Sequence, residues 1–213
     1  MNAPLQVFRA VAIIGVALAC LTSASAQSRP ETEHSFLLVA HPELADPNFA
    51  GTVVLVMRPD DDGPLGVILN RPTGTLLSEI YPGRAELQGR TDMLFFGGPV
   101  EPDALLFAFR SATEPEKGVN VADDIYVSGF SGVLDELLRL PENATEQRFF
   151  AGYAGWARGQ LEAEIAQGGW HVLPLDTSAI FEMNPLTLYD QLLRRANVPL
   201  LETGFPATAA RPR

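Results

Sequence analysis

The polar clusters that interrupt the apolar runs of this chain set the chemistry open to it. In Asn70-Arg71-Pro72, the Arg71 guanidinium is a planar fork able to hold a carboxylate or phosphate through two N–H donors, with Asn70 as a neutral orienter. The same turn has a structural reading, in which Asn tolerates positive φ, Arg71 pairs with Asp46 and Pro72 closes the loop. Asp46, in Asp46-Pro47-Asn48-Phe49, is a candidate general base with Asn48 beside it, or simply the start of a turn. Gly97-Gly98-Pro99 can offer main-chain N–H groups to an anion, yet it lacks P-loop or dinucleotide spacing, so a tight turn competes. Gly152-Tyr153-Ala154-Gly155-Trp156, leading into Gly159-Gln160, allows a close strand-to-helix turn whose free N–H groups receive an anion. Trp156 would wall such a site and Gln160 would orient the ligand, although glycine also lets Tyr153 and Trp156 pack tightly on a sheet. Asp46, Asn48, Asn70, Arg71, Gly97, Gly98, Tyr153, Gly155, Trp156 and Gln160 therefore form the candidate ligand-binding set, expected to meet round one hollow.

Other chemistries find less support. The three histidines, at 34, 41 and 171, show no i, i+4 pairing and no Glu-containing zinc motif, so neither a metal nor a cofactor is expected. Ser128-Gly129-Phe130-Ser131-Gly132 lacks the Gly-x-Ser-x-Gly spacing of a nucleophile elbow, and Ser131 reads as a helix cap. Asp60-Asp61-Asp62 has no calcium-loop spacing behind it and reads as a solvated hairpin tip.

The elements that must position these residues are mostly strands. Short runs rich in Val, Ile, Leu and Phe, bounded by Gly, Pro, Asn or Asp, predict strands near 36–40, 52–57, 66–69, 93–96, 105–109, 125–128, 148–153 and 170–174. Helices are expected from Ser131 to the stop at Pro141, over 159–167, and over 186–196 behind an Asn184 cap with Pro185 at the first turn. A short helix near 76–81 is a fourth. Strands and helices do not alternate regularly, so the expected class is α+β: a curved or barrel-like mixed sheet of about seven or eight strands covered by three or four helices.

Residues 1–26 carry Arg9 and no acid, an apolar run from Ala10 to Leu21, and then Ala24-Ser25-Ala26, the order of a secretory signal cut before Gln27. As a helix that run extends about 18 Å at 1.5 Å per residue, short of the roughly 30 Å hydrocarbon core, so no permanent span is expected. Ala17-Leu18-Ala19-Cys20 is the competing signal, with a lipid anchor on Cys20 as its outcome. A flexible lead-in over 27–35, a single domain over 36–197 and a loose Pro-rich tail over 198–213 follow. The location expected is periplasmic or secreted, the alternative being cytoplasmic. The 213 residues hold 15 Lys+Arg against 26 Asp+Glu, a net of −11. Loss of Arg9 leaves 14 basic residues and a net of −12. That balance argues against a grip on nucleic acid, and a chain cut before Gln27 has no thiol for nucleophilic, zinc or disulfide chemistry.

His41-Pro42 through Asp46-Pro47-Asn48-Phe49, Gly66-Val67-Ile68-Leu69-Asn70-Arg71-Pro72, Phe96-Gly97-Gly98-Pro99-Val100, and Gly152 to Trp156 with Gly159-Gln160-Leu161-Glu162-Ala163-Glu164 resemble, in that order, the YqgE/AlgH family. The resemblance covers roughly 36–196. It implies an α+β fold round a barrel-like sheet, usually intracellular, with no established enzymatic activity and, for some members, a transcriptional-regulator label. His41 stands where the family commonly has Met, and Tyr189 where it often has Trp. The functional expectation is an exported, non-enzymatic accessory protein that binds a small anion or a protein partner's acidic group. A hydrolase, with Asp46 activating water and Arg71 stabilising negative charge, is the second expectation. A cytosolic regulator, following the family label, is the third.

Overall fold

The computed structural model describes residues 35–58, 63–142 and 144–197. The leader, Cys20, nearly all of the lead-in, the Asp60-Asp61-Asp62 tip and the tail from 198 onward lie outside the described residues. Ten strands and five α-helical segments occur among those described: β1 Ser35–Ala40, β2 Val53–Met57, β3 Leu65–Ile68, β4 Pro72–Leu76, α1 Leu77–Ile80, β5 Met93–Phe96, β6 Val100–Arg110, β7 Val119–Ala122, β8 Ile125–Ser128, α2 Ser131–Arg139, β9 Gln147–Gly155, α3 Gln160–Ala166, β10 Trp170–Pro174, α4 Ser178–Phe181 and α5 Pro185–Ala196. The α+β class and the curled mixed sheet expected from sequence hold. All eight expected strands and all four expected helices form, and β4, β7 and α4 are additional.

The sheet runs β10-β1-β2-β3-β9-β6-β8-β7, with β5 attached to β9 and β4 to β5. Its pairs are antiparallel except β5 with β9, where Leu94, Phe95 and Phe96 run alongside Phe149, Phe150 and Ala151. Both faces are covered, which is why the central strands read as continuous apolar runs. Along β1, Leu37 and Val39 face one way while Leu38 and Ala40 face the other, the period of two that a pleated strand imposes. The first face packs on Ala179 and Ile180 of α4 and on Leu188 and Leu192 of α5. That same cluster holds Val121 of β7, Ile125 and Val127 of β8 and, at its edge, Leu173 of β10, so the two ends of the sheet curl round the same pair of helices. The opposite face is covered in two patches. Leu161 of α3 packs with Leu38, Val54, Val56 and Ile68, while Val133, Leu134, Leu137 and Leu138 of α2 pack with Phe107, Phe109 and Phe149.

Local signals behave as side-chain chemistry requires, with one correction. Asn184 caps α5, its side-chain oxygen accepting from the Leu186 N–H at 3.0 Å, and Pro185 opens the helix. Gly159, at φ +80°, precedes α3. Ser131 is the first residue of α2 rather than its cap, which is Phe130 in extended conformation. The upstream hydroxyl does the local work: Ser128 Oγ accepts from the Phe130 N–H at 3.1 Å and donates to the Lys117 carbonyl at 2.8 Å.

Candidate functional site

A pocket of about 740 Å³ opens where β1 ends, bounded by the loop after β1, by α3 and by the start of β10. The β1–β10 register builds its first wall. Ala40 lies opposite Trp170 and Val39 opposite His171, and the His41 N–H donates to the Gly169 carbonyl at 2.9 Å. This places the His41 and His171 rings 5.2 Å apart at the pocket. Burial, and then the neighbouring His41, push the His171 imidazole below its ordinary value of 6.5, so it stays neutral near pH 7. The buried His171 Nε2 has no hydrogen-bond partner among the described residues.

The second wall is aromatic. Phe49 stacks on Trp156 at 6.3 Å and meets Trp170 edge-on at 5.6 Å, and the two indoles are themselves edge-on at 6.4 Å. Both indole N–H groups converge on one carboxylate: Trp156 Nε1 and Trp170 Nε1 each donate to Glu164 Oε2 at 3.0 Å. Gln160 Nε2 donates to Glu164 Oε1 at 2.9 Å, one helical turn away, while Gln160 Oε1 accepts from the Ala157 N–H at 3.1 Å. A carboxylate offers about four acceptor positions, so three donors fix its orientation and leave room for one more. Glu43 and Asp46 also line the pocket, and none of the described residues that line it is Lys or Arg.

The sequence-derived candidates divide between this pocket and its supports. Asp46 and Gln160 line it, and Trp156 stands behind it. Asp46 Oδ1 accepts from the Asn48 N–H at 2.8 Å, a turn closed by its own backbone. Arg71 makes the bonds that hold this loop: Nη1 donates to the Asn48 carbonyl at 2.6 Å, and Nη2 to the Ala50 carbonyl at 3.0 Å and the Pro47 carbonyl at 3.2 Å. Burial pulls the Arg71 guanidinium below its ordinary value, and nearby Asp46 acts in the opposite direction. The partners of Arg71 are thus loop carbonyls rather than the Asp46 carboxylate. Asn70 works alongside it, accepting from the Val53 N–H at 2.8 Å and donating to the Gly51 carbonyl at 2.9 Å.

Gly97, Gly98, Tyr153 and Gly155 lie elsewhere, along the strands. A Cβ on Gly97 would collide with the Gly152 carbonyl and one on Gly98 with the Tyr153 backbone, so these glycines let β5 and the start of β6 press against β9. Tyr153 donates to Glu101 at 3.2 Å, and Gly155 follows on the exposed end of β9. His41, His171, Glu164, Phe49 and Trp170 line the pocket without having been singled out from sequence as ligand residues. The available signal was the Gln160-to-Glu164 spacing on a helix beginning just after Trp156, and the presence of His41 at a position where the resemblance leads one to expect Met.

The geometry can be set beside known proteins. The AlgH-like family model, DUF179, matches residues 37–201. The chain belongs to the AlgH-like family. It is 41% identical over 165 residues to a UPF0301 protein of Streptomyces avermitilis, covering 75% of this chain and 84% of that one. It is also 41% identical over 180 residues to a UPF0301 protein of Thermobifida fusca, covering 81% and 89%. The solution structure of the AlgH protein from Pseudomonas aeruginosa superposes with a TM-score of 0.65 at 30% identity, covering 86% of this AlgH-like chain and 99% of that one. A crystal structure of the protein DIP2367 from Corynebacterium diphtheriae, 24% identical with a TM-score of 0.64 and coverage of 82% and 92%, shares the fold.

Proposed function

We propose that this AlgH-like chain is an exported binding protein, and that the pocket between His41, Glu164 and Trp170 receives a small organic cation or the cationic side chain of a partner. The reading rests above all on Glu164, a carboxylate held by two indole N–H groups and an amide in a pocket with no Lys or Arg among the described residues that line it. A carboxylate so placed favours positive charge in front of it. Glu43 adds to that charge, and Asp46 does so in part, being offset by Arg71. Phe49 and Trp170 supply ring faces and edges, and aromatic rings attract ammonium and guanidinium groups. The volume of about 740 Å³ lies in the range of small-molecule sites.

This reverses the sign of the ligand expected from sequence. At Arg71 the Asn48, Ala50 and Pro47 carbonyls already engage both Nη groups, so an anion would have to compete with them for the paired donors of the fork. The same competition counts against Arg71 as an electrophile in hydrolysis. The export half of the proposal rests on the order of Arg9, the apolar run and Ala24-Ser25-Ala26.

Tryptophan fluorescence titrations with a polyamine and a quaternary ammonium probe test the pocket, with acetate and phosphate as the opposite arm. Saturable quenching by the cations, weakened about tenfold or more in Glu164→Gln, is the expected result. Binding of the anions alone, or identical titrations for wild type and Glu164→Gln, rejects the reading. Mass spectrometry of the protein from its native compartment tests export: an N-terminus at Gln27 supports it, and an intact Met1 returns the protein to the cytosol.

A further inference from the structure

A second cavity, of about 220 Å³, lies where β9 begins, lined by Asp92, Thr145, Glu146, Gln147, Arg148 and Phe181. Among the described residues it shares none with the His41 pocket. Arg148, only 8% exposed, forms one wall. Its Nη1 donates to the Leu69 carbonyl at 3.2 Å and its Nη2 to the Phe181 carbonyl at 3.5 Å, and its guanidinium carbon sits 4.6 Å from the centre of the Phe95 ring. All three partners are neutral. The carboxylates that share the cavity are already engaged by other donors. Asp92 accepts from Arg90 Nε at 2.5 Å and from Gln147 Nε2 at 3.1 Å, and Glu146 accepts from Arg110 Nε at 2.5 Å.

A guanidinium has five N–H donors, so two carbonyl bonds leave donors over. Taking such a cation out of water without a counter-charge is costly, and burial pulls the Arg148 guanidinium down to about 10. From these contacts we infer that the cavity is a binding site for a small monocarboxylate, seated on the donors of Arg148 that the carbonyls leave over. The planar guanidinium fork matches a carboxylate, and a monoanion meets less repulsion than a dianion from Asp92 and Glu146. At roughly 30 Å³ for a water-sized group, the volume admits an acid of about three to six heavy atoms. A carboxylate here would join the end of β3 to β9 and the end of α4 through one cation, and would stabilise the folded chain by mass action.

The test is a titration of the full-length protein with sodium acetate, followed by the ¹⁵N signals of the arginine Nε–H groups, with gluconate holding ionic strength constant because it is too large to enter. Acetate is expected to shift the Arg148 signal saturably and to raise the melting temperature, while gluconate does neither. Arg148→Met should weaken both responses about tenfold or more, with Arg148→Lys between the two. An Arg148 signal that does not saturate up to about 50 mM acetate overturns the site, because a ligand of this size reaches millimolar affinity in a true pocket. Tighter binding of inorganic phosphate than of acetate overturns the carboxylate assignment. The wild-type measurement stands alone if Arg148→Met fails to fold, and it is independent of the cation titrations because the two cavities share no side chain.

Discussion

Arg71 shows how a residue with the right chemistry for one task is committed to another by its neighbours. Its donors close the 46–50 loop through three carbonyls, and that loop carries Asp46 and Phe49 into the pocket. Replacing the fork with Met should cost about 1–3 kcal/mol in chemical denaturation at unchanged m, since the carbonyls lose charge-assisted donors without being fully buried. Cation affinity should fall as well, because the Phe49 wall loses its anchor. Arg71→Lys should recover only part of either loss, as an ammonium cannot span three oxygens set by a planar group. The residue types of Asp46, Asn48, Asn70 and Arg71 did mark a place where chain segments meet, and that much of the site was legible. Their roles were not, because nothing in a linear string says whether a guanidinium will find carbonyls before it finds a ligand. His41 and His171 were less legible still: they meet only through the β1–β10 register, which joins the two ends of the domain.

At the scale of elements, apolar runs found every strand buried on both faces, and the strands they missed explain themselves. β4 reads Pro-Thr-Gly-Thr-Leu and β7 Val-Asn-Val-Ala, each pairing with a single partner strand and so freed from the need for continuous apolar character. The first half of β6 contains Glu101-Pro102-Asp103 and pairs with β9 through a shifted register, so it resembles a loop in composition. The close approach of Gly97 to β9 makes a contrast testable by denaturation. Gly97→Ala, whose new methyl group meets the Gly152 main chain, should lose about 3 kcal/mol. Gly51→Ala, at φ +69° but with open space around it, should lose only about 1 kcal/mol from backbone conformation. Equal losses would mean that the β5–β9 contact is looser than the structure has it.

Over the whole molecule, acid should act in two separable windows. His171 is harder to protonate in the folded chain than at its ordinary 6.5, so the unfolded state binds the extra proton and stability falls as pH drops below about that value. The groups facing it at the pocket are His41 and the carboxylates of Glu43, Asp46 and Glu164. Asp176 and Glu142 are held below their ordinary 3.8 and 4.5 by hydrogen bonds, led by those from Ser178 and Thr91 respectively, so their contribution is present above those values and is lost only in stronger acid. Melting temperatures from pH 7 to 5 should therefore decline less in His171→Gln than in wild type, with the two curves running parallel below pH 4. A decline of the same size in both would place the upper window elsewhere.

β9 is the strand on which assembly of the sheet depends. Among the described strands it is the one that joins β1-β2-β3 to β6-β8-β7, and it also carries β5. A nascent chain that has not yet delivered Gln147–Gly155 therefore holds three sets of paired strands, β1-β2-β3, β4-β5 and β6-β8-β7, without the strand that joins them, and cooperative folding must wait until late in synthesis. Until then the edges of β3 and β6 that β9 covers stand open, which makes the interval before β9 arrives the time at which this protein is most exposed to aggregation and most dependent on a chaperone.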